Sequence, residues 1–408
     1  MRKASSLWFI LVTVAIDSIG LGIVIPVLPD VIRRFLTDEF HVSRMFGYFV
    51  ATYAFVQFFS SPFLGSLSDW FGRRTVLLVS LLGAAVDYFF MAFAPTLPLL
   101  FLGRVISGMS GASYTVASAY IADISTDENR SKNFGVIGAG FGIGFIAGPA
   151  IGGFLAHWGP QYPFLAAGCF NLLNFVFGFF VLPESLSAEN RRPVQWAALN
   201  PFRAMGRILS IPTIRPLVVV STLMYLAGHT HPSIWTLYTE HRFGWTPAQV
   251  GMSLALVGLL QVFAQGFLTG FIVKRFGETR VFVWGVFGES LSFLGFGLAT
   301  SGSMIYAVLL LSAVFWAAQP ALQSLISREV PADQQGELQG TLMSLASVMA
   351  IINPLIVTSL FAATSDRTAE FYLPGSPYIF ASSMLFLAWV IAWRTVSKTL
   401  AVSNQAPL

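Results

Sequence analysis

Twelve nearly unbroken apolar stretches dominate this chain, at residues 7–29, 46–68, 75–94, 97–122, 134–156, 161–183, 216–238, 247–272, 281–300, 303–326, 338–363 and 376–396. A helix needs about 20 apolar residues to cross a bilayer, so each stretch is long enough for one crossing. The runs are continuous rather than alternating, which argues against a membrane β-barrel. Charged residues make up only 10% of the 408 positions and mean hydropathy is +0.71, against a charged share of about 25% in soluble domains. A water-soluble globule of this size is excluded, because too little polar surface exists to cover it. An aromatic share of 15% excludes disorder. Cys169 is the only cysteine, so no disulfide scaffold is possible. The first run follows Arg2 and Lys3 like a signal peptide, but it is too long, carries Asp17 and lacks a small-residue cleavage site, so it reads as a retained helix.

The net charge of +4 does not indicate nucleic acid, because the charges sit between the apolar runs and form no basic face. With the N-terminus inside, 17 of the 23 Lys and Arg residues fall on the cytoplasmic side and 5 outside, while Arg104 lies within a span. The positive-inside rule therefore places both termini in the cytoplasm. The longest connection, 184–215, is also cytoplasmic and contains Glu184, Glu189 and five arginines. It separates a six-span half at 1–183 from another at 216–408.

An internal repeat supports that division. At an offset of 205 residues Gly65 falls on Gly270, Phe71 on Phe276, Gly72 on Gly277, Gly135 on Gly340 and Pro149 on Pro354. The expected fold is an all-α membrane protein of twelve helices in two pseudo-symmetric halves. Two parallel six-helix halves with a site between them is a transporter plan.

The loop after the second span runs from Gly65 through Asp69, Gly72, Arg73 and Arg74, and a weaker copy follows the eighth span with Lys274, Arg275 and Gly277. A solvated turn with positive-inside anchors would have the same residues. The recurrence favours a gate, in which Arg73 is expected to bridge Asp69 to Asp123 near the inner ends of their spans. In the fifth span Gly140, Gly144, Gly148 and Gly152 recur every four residues, with Pro149 among them. That spacing makes a smooth face for close helix packing, and a rocking contact needs the same smoothness.

With these motifs the sequence resembles the major facilitator superfamily, and more closely its drug/proton antiporters of the tetracycline-efflux type. Asp17-Ser-Ile-Gly20-Leu-Gly22 with Pro26 and Pro29 resembles that group's first helix. Arg104 to Gly108, with Ala119 to Asp123, resembles its fourth, and Gly148-Pro149 with Gly152-Gly153 the antiporter signature of its fifth. Pro320 to Gln323 and Gln335 to Gly340 resemble its tenth and eleventh. The resemblance implies proton-coupled export of a tetracycline-like or other amphiphilic drug by alternating access. It also implies a bacterial-type inner membrane, and a divalent cation travelling with the drug if it is a tetracycline. The chain departs from the pattern where Gln261 matches the group's eighth-span histidine and Glu289 its ninth-span aspartate. Glutamate keeps the charge; glutamine cannot titrate.

Asp17, Asp87, Arg104 and Glu289 lie within spans. Each costs roughly 2.5–3.5 kcal/mol at a helix centre, so they are expected to face the bundle interior and to serve proton coupling. Asp87 and Arg104 sit at similar depth, and their pairing is expected, either to fix packing or to take part in coupling. No basic residue in the spans of Asp17 or Glu289 is available to them. A buried carboxyl group can take a proton from one side and release it to the other as its hydration changes.

His229 and His231 flank Thr230 before Pro232. They are polar lining near a kink or a substitute for the titratable group missing at 261. No carboxylate or cysteine is spaced to complete a metal site with them. Tyr53, Gln57, Gln261, His229 and Trp235 are the expected substrate contacts, since Gln57 and Gln261 lie mid-span in helices that the resemblance places around the cavity.

Two other functions match parts of the sequence. A facilitator or carrier for another metabolite would share this fold. An intramembrane serine protease is hinted at by Gly108-Met-Ser110-Gly111 with His229, but the 205-residue repeat explains nothing in a protease. No Gly-Lys pair occurs, so an ATP-driven P-loop is absent. The expectation is a carrier and not an enzyme, with no cofactor, no resident metal and no nucleic-acid partner, working as a monomer in the lipid bilayer.

Overall fold

The computed structural model describes residues 2–111, 113–125, 130–191, 193, 211–212, 214–330, 335–366 and 371–403. These residues are helical with short connections, and no strand occurs among them. In a bilayer every backbone N–H and C=O must be satisfied within the protein, which the helix does segment by segment. The chain divides into two compact units, Met1–Leu199 with Gly244–Gly258, and Asn200–Phe243 with Leu259–Leu408. Most of the expected linker 184–215 lies outside the described residues.

The first unit begins with α1 (Arg2–Val24), which passes through a short tight turn into α2 (Leu28–Arg33). Then come α3 (Glu39–Phe71), α4 (Arg73–Phe93), α5 (Leu97–Ser110), α6 (Ser113–Ile124), α7 (Arg130–Leu155) and α8 (Tyr162–Val181). Asp38 starts α3 by accepting the N–H of Phe40 at 3.3 Å, an N-cap bond. Part of the core is built by Phe9, Ile10 and Val14 of α1 against Leu77 of α4 and Tyr120 of α6.

The glycine face of α7 is a packing surface for α1. A methyl group added at Gly148 would lie 2.7 Å from the Ile19 carbonyl, and one at Gly152 would collide with the Ile23 carbonyl. Pro149 occupies the space left by Gly22. On its other side α7 takes the start of the next long helix, where Gly153 lies against Pro247 and Gly251 against Pro149.

The second unit contains α9 (Arg215–Gly228) and α10 (Thr230–Phe243), the later residues of α11 (Pro247–Phe263), α12 (Thr269–Phe276) and α13 (Glu278–Leu298). It continues with α14 (Gly302–Ser312), α15 (Ala318–Arg328), α16 (Gln335–Thr364) and α17 (Ser376–Ser403). A π-helical turn at Ala264–Leu268 joins α11 to α12. The helix break at His229 is patched from α16: Asn353 donates to the Leu226 carbonyl at 2.6 Å and to the Thr230 hydroxyl at 3.0 Å.

Among the described residues eight helices are long and apolar enough to cross a membrane, or nine if the pair Gly302–Ser312 and Phe315–Arg328, bent by 41°, is one span. The expected run 46–68 lies inside α3, whose apolar stretch is diluted by Gln57, Ser60 and Ser61. The runs 97–122 and 216–238 are each divided between two shorter helices, α5 with α6 and α9 with α10.

Candidate functional site

The first unit gathers a mid-span polar cluster. Asp17 of α1 accepts a hydrogen bond of 2.5 Å from the Ser113 hydroxyl at the start of α6. Ser113 is the first residue after the break between α5 and α6. Gln57 of α3 serves the same break, donating to the Gly111 carbonyl at 2.9 Å and to the Tyr53 hydroxyl at 3.2 Å. Gly20, one turn beyond Asp17, leaves room for the Tyr88 hydroxyl and the Asn171 amide.

The expected pairing of Asp87 with Arg104 is not formed. Asp87 is 0% exposed, with the Ser107 hydroxyl beside its carboxyl group and no ion pair to it among the described residues. It packs where Gly103 has no side chain; a methyl there would lie 3.1 Å from its Oδ1. Neighbouring helical positions point about 100° apart, so the residue that faces Asp87 is Gly103. Arg104 turns to α3, with its guanidinium 4.7 Å from the Phe49 ring centre and 4.6 Å from that of Tyr53. Cation–π contact takes the place of an ion pair.

In the second unit Glu289 of α13 is half-buried, and no hydrogen bond or ion pair reaches it among the described residues. Gln261 of α11 is exposed and equally without a hydrogen-bond partner. His229 is half-buried at the break between α9 and α10. His231 is wrapped in rings, with those of Phe293 and Phe296 at 4.8 and 4.9 Å. Trp235 is 2% exposed and packs on Phe296 at 5.8 Å, within the aromatic cluster of this unit. Its position one turn after His231 carries it into the same aromatic cluster.

The turn between α3 and α4 holds the third group. Arg73 pairs with Asp69 at 2.6 Å and with Asp123 at 3.0 Å, which is the expected bridge, and it also donates to the Ser68 hydroxyl at 2.6 Å. Gly72, at φ +100°, turns the chain between the helices, and its counterpart Gly277 adopts φ +80°. Positive φ is the conformation that glycine takes without strain. Arg74 donates to the Phe179 carbonyl at 2.7 Å. Gly65 lies against Thr115 of α6.

Sequence reasoning missed Glu184 and Ser113. Glu184 accepts the backbone N–H groups of Arg73 and Arg74 at 2.9 and 3.3 Å, satisfying the first turn of α4. Ser185 adds a bond of 3.0 Å to Asp123. These partners lie 62 to 111 residues away in sequence, and no local pattern announces them.

The sequence profile of the Major Facilitator Superfamily matches residues 7–232 and 217–407. The chain belongs to that superfamily. This superfamily member is 41% identical over 366 residues to the class C tetracycline resistance protein of Escherichia coli, covering 90% of this chain and 92% of the relative. It is 39% identical to the class G tetracycline resistance protein of Vibrio anguillarum, covering 88% and 91%. Among solved structures, a bacterial homologue of the human lysosomal transporter Spinster, inward-facing and occupied, shares the fold with a TM-score of 0.80 at 14% identity, covering 100% of this chain and 99% of that one. The protein is a transporter and not an enzyme.

Proposed function

We propose that this carrier exports a tetracycline-like drug in exchange for protons by alternating access. The similarity that carries this reading is the 41% identity spanning 92% of a tetracycline resistance protein. The mid-span acids support it, because they supply the chemistry that exchange requires. An unpaired carboxylate away from water is costly, and taking up a proton removes the charge. Asp17, Asp87 and Glu289 are the proton-binding groups, and a cationic drug competes for the same carboxylates. Arg104 holds Tyr53 in place and sets the local field. Tyr53, Gln57, Gln261 and His229 are the drug contacts, with Trp235 behind them.

The Asp69–Arg73–Asp123 cluster acts as an inner gate, with Gly65, Gly72 and Arg74 shaping its turn. Gly144, Gly148, Pro149 and Gly152 let α7 move against α1 without interlocking side chains. The carrier works as a monomer in a bacterial inner membrane with both termini in the cytoplasm. It needs no cofactor, and a divalent cation travels with the drug.

The deciding experiment uses acid-loaded inverted vesicles. Tetracycline added with magnesium should release protons to the medium, and Asp17→Asn should abolish the release. Proton release that is unchanged in Asp17→Asn overturns the coupling assignment. A second reading, export of another amphiphile, is favoured by Gln261, which cannot titrate. Absence of any tetracycline response, with proton release on adding a different amphiphilic cation, would select it.

A further inference from the structure

The second unit carries a groove of about 390 Å³, walled by Ile272 and Phe276 of α12, Arg280, Val281 and Trp284 of α13, and Val314 just before α15. Small-molecule sites span roughly 300–1,000 Å³, so the groove can hold an apolar chain. Phe276, Trp284 and Val314 are each about half exposed, which is the state of side chains that meet lipid in a membrane protein.

One end of the groove is cationic. Arg280 is exposed and has no hydrogen bond or ion pair among the described residues. Lys274 and Arg275, in the last turn of α12, are equally without partners. The neighbouring acid, Glu278, does not neutralise them, because it already pairs with Arg328 at 2.9 Å and accepts from Ser324 at 3.1 Å. Trp284 stands four residues after Arg280, on the same helix face. An arginine that reaches the water boundary with a tryptophan one turn inside it is the usual anchor at a membrane interface. Basic pockets between membrane helices bind phospholipid head groups.

We propose that this groove binds an anionic glycerophospholipid. One acyl chain lies along Ile272, Trp284 and Val314, and the phosphate sits on the Arg280 guanidinium within the field of Lys274 and Arg275. In the orientation given above this is a lipid of the cytoplasmic leaflet. The site is separate from drug export and stands whether or not tetracycline is the substrate.

The test uses the full-length carrier in phosphatidylcholine nanodiscs containing phosphatidylglycerol with a photoreactive acyl chain. After illumination, peptide mass spectrometry should place labelling at residues 272–284 and 314 above that on the rest of the lipid belt. Unlabelled phosphatidylglycerol should compete and phosphatidylcholine should not. Arg280→Gln should lower labelling of the groove about fivefold and leave labelling elsewhere unchanged. Val314→Trp, which fills the groove from the facing side, should do the same and serves as the independent variant if Arg280→Gln fails to insert. Equal competition by phosphatidylcholine, unchanged labelling in the variants, or displacement by tetracycline but not by phosphatidylglycerol would each overturn the proposal.

Discussion

Glu278 and Arg328 are joined at 2.9 Å, and each stands 205 residues beyond a residue of opposite charge in an equivalent pair, Arg73 with Asp123 at 3.0 Å. Both pairs tie the first residue of a helix that follows a positive-φ glycine to the end of another helix. In the second unit the charges suit the helix dipoles, with the acid at an N-terminus and the base at a C-terminus. In the first unit they oppose the dipoles. Glu184, bonded to the N–H groups of Arg73 and Arg74, supplies the negative charge that α4 lacks at its start.

The two pairs should therefore respond differently to neutralisation. The Arg73 side chain is 10% exposed, whereas that of Arg328 is 67% exposed. Surface pairs contribute about 0–1 kcal/mol, while coupling between conformations is typically about 1–3 kcal/mol. Asp123→Asn should slow drug export about tenfold, and Arg328→Gln less than about twofold. Uptake by inverted vesicles measures both, and equal effects would show that the Arg73 cluster is only a surface anchor.

Glu289→Gln removes a titratable group while keeping the shape of the side chain. Drug-driven proton release should disappear, with the protein inserted and its thermal unfolding unchanged. A fully active Glu289→Gln carrier would remove this residue from the coupling mechanism.

Arg104→Lys tests the stack on Phe49 and Tyr53. A planar guanidinium lies flat on aromatic rings, and an ammonium does not reproduce that contact. Most transport should be lost. Because no ion pair with Asp87 exists to rescue, Asp87→Asn combined with Arg104→Lys should be no better than Arg104→Lys alone; recovery of transport in the double variant would contradict the observed geometry.

Along α7 the tolerance of glycine for alanine should follow the space available. Gly152→Ala would press a methyl onto the Ile23 carbonyl, whereas nothing lies within 4 Å of one added at Gly270 in α12. Overpacking of this kind costs about 1–3 kcal/mol. Thermal unfolding in detergent should show Gly152→Ala markedly destabilised and Gly270→Ala unaffected; matching melting temperatures would mean that α1 and α7 separate easily.

Gln261→His adds a titratable group at an exposed position. If a tetracycline is the substrate, the pH profile of exchange should acquire a change near neutral pH, where histidine titrates. An unaltered profile would place residue 261 outside the path of drug and proton.

The sequence by itself determined the class of the molecule. Twelve apolar runs, a constant 205-residue offset and the spacing of Arg73 from Asp69 are one-dimensional signals. Helix periodicity turns such signals into structure without further information, and the Arg73 bridge was legible because Asp69 lies one turn before it. Tertiary structure decided the pairings between distant segments. Asp87 faces Gly103 and not Arg104 because helix rotation, which depth alone does not specify, sets the direction of a side chain. Trp235 enters the aromatic core and Ser113 reaches Asp17 for the same reason. Glu184 caps α4 only because the segment that follows α8 passes beside the start of α4. Composition and spacing fix which groups must be buried; rotation and packing of the helices fix which of them meet.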